Sequence, residues 1–203
     1  MTPIEQIMRT APVIPVLVID DVHQARPLAE ALVAGGLRVL EVTLRTPTAI
    51  DAIRYMNLVP GAIVGAGTVV NRAQFEEART AGAKFIVSPG LTEDLAHTIA
   101  AAGVPYLPGV ATAGEIMHGL DLGLTHFKFF PAEAAGGIKA LKALAAPFAQ
   151  CRFCPTGGIT AKTAPDWLAL DPVLCVGGSW IVPRGADLAT IEALAREAAA
   201  LAR

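Results

Sequence analysis

Residues 38–67, RVLEVTLRTPTAIDAIRYMNLVPGAIVGAG, carry a strand, a helix and a second strand within one short stretch. RVLEVTL and AIVGAG are short runs rich in β-branched residues, and TPTAIDAIRYMN between them has a helical pattern opened by threonine. A strand, a crossover helix and a strand form a parallel pair with a right-handed connection. Working outward, six more such runs appear: PVIPVLVI (12–19), KFIVSP (84–89), PYLPGV (105–110), HFKFFP (126–131), RFCPTGG (152–158) and VLCVGGS (173–179). The eight runs start at intervals of roughly 20 to 26 residues, the spacing of compact βα units.

Helical stretches fill the intervals at 22–36, 71–82, 92–103 and 112–123, most of them opened by Thr or Asn and all closed by Gly. A leucine-rich repeat has a similar period, but its L-x-x-L-x-L signature is missing. Eight βα units close most naturally into a (β/α)8 TIM barrel, with a doubly wound open sheet as the alternative. TPIEQIMRT (2–10) reads as an extra N-terminal helix beneath the barrel. Nothing resembles a linker, so residues 1–203 are expected to form one domain, a length that suits a single well-buried core.

Hydrophobic residues make up 53% of the chain with only 5% aromatic, as suits strands covered on both faces by Ala-rich helices. Lys and Arg number 16 against 18 Asp and Glu, a balance without the field that collects nucleic acid or anionic membrane. Arg9 and the apolar Ala11 to Ile19 faintly imitate a secretion signal, but Pro12 and Pro15 interrupt it and Asp20-Asp21 follow it. The longest uncharged stretch, Leu95 to Gly114, contains two prolines and changes pattern midway, so no membrane span is expected. The expectation is a cytoplasmic protein. Cys151 and Cys154 form a C-x-x-C, but on a strand that offset sends the side chains to opposite faces. His23, His97, His118 and His126 are scattered, so no metal site is expected.

A β/α barrel builds its active site at the C-terminal ends of its strands. There this sequence places Glu41, Thr43 and Arg45, then Thr68, Ser88-Pro89, Lys128, Thr156-Gly157-Gly158 and Gly177-Gly178-Ser179. Lys128 is the most informative, an amine in the middle of an aromatic strand. Parity turns Phe127 and Phe129 toward the helices and leaves His126, Lys128 and Phe130 pointing inward. An ordinary strand lysine snorkels to solvent or answers a carboxylate. An amine held out of water with a free lone pair can instead attack a carbonyl carbon, the first requirement for an iminium.

The same parity turns Glu41 inward, where it can pair with Lys128 and also serve as general acid and base. Arg45 offers a bidentate fork to a carboxylate, and Thr68 a hydroxyl. The glycine turns PTGGI and VGGSW expose backbone amides that suit a phosphate, although a bare tight turn has the same sequence.

Taken together, EVTLRTP, VGAGTVV, VSPGLT, LPGV, FKFFPAE, FCPTGGI and VGGSW resemble the 2-keto-3-deoxy-6-phosphogluconate (KDPG) and 4-hydroxy-2-oxoglutarate (KHG) aldolase family. The resemblance spans nearly the whole chain, with FKFFPAE its most specific part. It implies a class I aldolase of the Entner–Doudoroff route, a homotrimer of barrels acting on a phosphorylated 2-oxo acid without metal or cofactor. Carried over motif by motif, it makes Lys128 the Schiff-base lysine and Glu41 the proton shuttle. It gives Arg45 and Thr68 the substrate carboxylate, Pro89 and Phe130 the pyruvyl pocket, and Thr156, Gly157, Gly158, Gly178 and Ser179 the phosphate end. Relatives acting on the galactonate epimer tend to have Arg where PVLVID has Val18, so the gluconate-type substrate is favoured. A phosphosugar isomerase or epimerase and a non-catalytic sugar-phosphate binding barrel remain as alternatives, both without need of an inward lysine.

Overall fold

The computed structural model describes residues 1–202; the last residue of the expected domain, Arg203, lies outside them. Nine strands run β1 Val13–Leu17, β2 Val39–Thr43, β3 Ile63–Gly67, β4 Ile86–Val87, β5 Tyr106–Leu107, β6 Gly109–Val110, β7 His126–Phe129, β8 Arg152–Pro155 and β9 Val176–Gly178. The helices are α1 Pro3–Thr10, α2 Ala25–Ala34, α3 Ala49–Met56, α4 Arg72–Thr80, α5 Glu93–Ala101, α6 Ala113–Asp121, α7 Gly137–Ala145, α8 Ala164–Leu168 and α9 Leu188–Ala199. Every strand pairing is parallel. Hydrogen bonding orders the strands β5-β4-β3-β2-β1-β9 in one sheet and β6-β7-β8 in another.

The fold is thus a curled parallel sheet wrapped by helices, with strands where the eight sequence runs stand. One run, PYLPGV, is split, and the cause is local. Pro108 has no N–H to continue a ladder, so Leu107 still accepts from the Ser88 amide at 3.3 Å while the Pro108 carbonyl turns to the Lys128 amide at 2.8 Å. The chain passes from one sheet to the other at that residue. Across the remaining seam, single bridges join Phe153 to Val173 and Thr156 to Gly177.

Two apolar clusters lie on opposite faces of the strands. The larger one, with Phe127, Phe129, Leu40 and Val42, packs against the helices. The smaller gathers Ile14, Val39, Phe85, Val87, Leu107, Cys154 and Leu174 on the concave face, where Ile4 and Met8 of α1 join it. Cys151 and Cys154 fall in different clusters, as alternation requires. α1 starts cleanly because Thr2 accepts from the Glu5 amide, Pro3 needs no donor there, and Glu5 answers Arg9 one turn later. No described helix is long and apolar enough to cross a membrane.

Candidate active site

Among the described residues, six polar or charged ones are buried: Glu41, Thr43, Ser88, His126, Lys128 and Thr156. Thr43, Ser88, Lys128 and Thr156 stand late on a strand or just past its end, and Glu41 stands in the middle of β2. Lys128 of β7 and Glu41 of β2 meet: Nζ donates to Oε1 at 3.1 Å, and the two side chains are only 5% and 4% exposed. They lie 87 residues apart in sequence and are brought together by sheet curvature. The amine also lies 5.2 Å from the centre of the Phe130 ring. The inward parity of Lys128 and Glu41 and the outward parity of Phe127 and Phe129 are therefore as expected.

Around this pair the other candidates take graded positions. Gly109, in register with Lys128, lies against the Pro89 carbonyl, which sets Pro89 beside the amine's strand. Thr156 presses on Gly177, and Gly157 lies against Phe130 and Pro131. Gly157 and Gly158 adopt φ of 106° and 81°, a conformation open to glycine and costly to other residues. The segment after β7 is tied to this turn, since the amides of Ala132 and Glu133 donate to Thr156 and Gly157 at 2.8 and 3.1 Å. Gly178 lies under the Trp180 ring, and Ser179 beyond it is exposed. Arg45 is exposed past β2 and makes no ion pair among the described residues, which leaves its guanidinium available to an anion. Arg45, Thr68 and Ser179 stand just past β2, β3 and β9, and none of them hydrogen-bonds to the buried pair.

Thr68 has φ 59°, the one non-glycine residue with positive φ among those described. A β-branched residue in that region is strained, and such strain persists where the surroundings impose it, commonly at ligand sites. Sequence reading placed Thr68 at the rim without this feature. Two further contacts escaped it. Ser88 and Tyr106 share a hydrogen bond at 2.7 Å, and burial, opposed by that bond, pushes the Tyr106 phenol up to about 12. Glu133 accepts from the Trp167 indole at 3.1 Å, bracing the turn at Gly158. Ser88 and Glu133 both sat in quoted motifs, but nothing in those motifs named their distant partners.

At the start of β7, away from this site, His126 holds Thr125 at 3.0 Å through Nδ1, and Nε2 lies 3.7 Å from Glu5. Burial lowers its pKa, Glu5 opposes that, and Arg152 and Arg9 add to it.

Chemically the arrangement offers an amine and a carboxylate in contact, an aromatic ring beside the amine, an exposed guanidinium past β2 and a glycine turn past β8. The family model for KDPG and KHG aldolase matches residues 4–194. The 2-dehydro-3-deoxy-phosphogluconate aldolase of Zymomonas mobilis is 59% identical, covering 100% of this chain and 98% of its own. Its crystal structure with 3-phosphoglycerate superposes with a TM-score of 0.98 over 99% of this chain and 97% of that one. The KHG/KDPG aldolase of Escherichia coli K12 is 56% identical over 97% of this chain and 95% of its own. A KDPG aldolase from Legionella pneumophila, with pyruvate captured as a covalent carbinolamine, is 48% identical with a TM-score of 0.94, covering 98% of each chain. From sequence and fold alike, this chain belongs to the KDPG and KHG aldolase family.

Proposed function

We propose that this chain is a class I aldolase that cleaves KDPG to pyruvate and glyceraldehyde 3-phosphate, and KHG to pyruvate and glyoxylate. The observation that carries the reading is the buried contact of Lys128 Nζ with Glu41 Oε1 at 3.1 Å. An isomerase or epimerase has use for the carboxylate and none for the amine. The covalent pyruvate adduct of the Legionella protein supports the same chemistry.

Lys128 attacks the C2 ketone, and Glu41, directly or through a water, moves a proton from the amine to the developing alkoxide to give a carbinolamine. Glu41, which also carries the proton it took from Lys128 Nζ when the amine was freed for attack, then gives that proton to the hydroxyl, which leaves as water, and the iminium forms. The iminium is the electron sink, so the reaction asks for neither metal nor cofactor. Glu41 next takes the proton of the C4 hydroxyl. The C3–C4 electrons flow into the iminium, the aldehyde departs, and a pyruvyl enamine remains. Protonation at C3 and hydrolysis release pyruvate and restore the amine.

In this reading Arg45 and Thr68 hold the carboxylate, and Pro89 and Phe130 wall the pyruvyl group. Thr156, Gly157, Gly158, Gly178 and Ser179 receive the phosphate through backbone amides and hydroxyls. Residues 1–203 form one domain, a closed (β/α)8 barrel. The Pro108 crossing and the bridges from β8 to the strand of β9 support closure, and α1 plugs the bottom through Ile4 and Met8. A homotrimer working in the cytoplasm completes the proposal. The test is borohydride reduction in the presence of pyruvate, followed by peptide mass mapping. The expected result is inactivation with the reduced pyruvyl mass on Lys128; modification at another lysine overturns the assignment.

A further inference from the structure

We infer that Gly67 is a positioning residue, a socket that seats the Glu41 carboxylate against the Lys128 amine. Gly67 ends β3, and unlike Gly157 and Gly158 it has no positive φ, so its backbone is open to any residue. The need for glycine there is spatial. A Cβ at this position would stand 2.7 Å from Glu41 Cγ and 2.8 Å from Cδ, with Oε1 nearer still. These three atoms are its nearest neighbours, and all belong to Glu41. Oε1 is the same atom that accepts from Lys128 Nζ.

A methyl at residue 67 therefore acts on one side chain. Restoring ordinary contact at Cγ, 3.4 Å or more, needs a displacement of about 0.7 Å, and the tip must travel further. Glu41 is 3% exposed, so the carboxylate has little room to move except by leaving its place beside the amine. Misplacing a reacting group by about 1 Å costs on the order of 10²-fold in rate. Two residues earlier Gly65 underlies the Phe85 ring, a packing role in the apolar cluster. The two glycines of VGAG share a face and serve different neighbours.

The steric part stands alone, while the catalytic part rests on the role proposed for Glu41. Two coupled measurements separate them. In the first, melting temperatures are compared for the wild type, Gly67→Ala, Glu41→Ala and the double variant. If the methyl collides with Glu41, the loss caused by Gly67→Ala disappears once Glu41 is truncated. A loss that persists in the Glu41→Ala background overturns the socket, and this arm reads out even where Gly67→Ala alone fails to fold.

In the second, kcat, KM and the exchange of pyruvate methyl protons into deuterium oxide are followed for Gly67→Ala, Glu41→Asp and their combination. Gly67→Ala is expected to lower kcat and exchange together by about 10²-fold with KM little changed. Aspartate is one methylene shorter and withdraws the carboxyl from the methyl, so adding Gly67→Ala to Glu41→Asp should cost no more than about twofold. Equal losses in both backgrounds, or a Gly67→Ala enzyme with undiminished exchange, refute the positioning role. Failure of the aldolase reading itself shows separately, as absence of a borohydride-trapped adduct on Lys128 in the wild type.

Discussion

Lys128→Met removes the amine and keeps most of the volume, which leaves a 4% exposed Glu41 side chain facing an apolar group. Breaking a buried ion pair from one side costs about 3 to 5 kcal/mol, because the remaining charge keeps its desolvation cost and loses its partner. With both side chains at 5% exposure or less, solvent screening gives little relief. For a chain of this length each kcal/mol moves the midpoint by roughly 2 to 4 °C, so the variant should melt about 6 to 20 °C below the wild type. Water entering the open end of the site would favour the lower figure. Lys128→Met/Glu41→Leu removes both charges and should recover most of the loss, since an apolar pair of similar volume is often neutral or better. Both variants should be inactive. The assay is calorimetry at pH 7.5 and one fixed protein concentration, which keeps any subunit association constant. A single variant within about 2 °C of the wild type, or a double variant as unstable as the single, would refute the claim that the pair is desolvated and mutually dependent.

Glu41→Gln should keep the fold by circular dichroism and slow turnover by roughly 10²-fold or more, the usual scale for a positioned acid/base, and near-normal turnover removes Glu41 from the mechanism. Ser179→Asp puts a carboxylate where the phosphate is proposed to sit; at an exposed rim the repulsion lies between about 1 and 4 kcal/mol per charge pair, so kcat/KM for KDPG should fall roughly 10- to 10³-fold. KHG is too short to reach that end and should be cleaved as before; equal losses on both substrates would move the phosphate elsewhere. His126 binds its proton less readily folded than unfolded, because burial outweighs Glu5. The unfolded chain therefore takes up the proton first as pH falls below about 6.5, and stability present above that value is lost toward the folded pKa. His126→Asn should flatten the fall in melting temperature between about pH 6.5 and 5, and an unchanged slope assigns the acid lability to other groups.

Strand parity was enough to read the direction of Lys128, Glu41, Phe127 and Phe129, because alternation is a property of the backbone and needs no knowledge of neighbours. The glycine turns were legible for a related reason, since positive φ at Gly157 and Gly158 constrains residue type directly. What stayed hidden depends on partners remote in sequence. Pro108 reads as part of one strand until its neighbours are known to lie in different sheets. Gly67 reads as a small strand residue until Glu41 is seen filling the space a side chain would take. Tyr106 with Ser88 and Glu133 with Trp167 are the same kind of case, pairs made by tertiary approach and marked by nothing local.

The depth of each residue is the remaining unknown that parity leaves open, and the concave cluster supplies it. On several strands a site residue stands two positions beyond a member of that cluster: Val39 before Glu41, Val87 before Pro89, Cys154 before Thr156. Two residues of strand raise the chain by about 7 Å and return the side chain to the same face. Glu41, Pro89 and Thr156 thus stand above an apolar layer that Ile4 and Met8 of α1 join, while Lys128 stands above the buried His126. Such a layer keeps water from beneath the Glu41 carboxylate. It explains why two opposite charges are tolerated at so low an exposure in a cluster otherwise made of Ile, Val, Leu, Phe, Met and Cys, and why they sit at its upper edge. One layer deeper they would lack room for a substrate, and one layer higher they would be solvated.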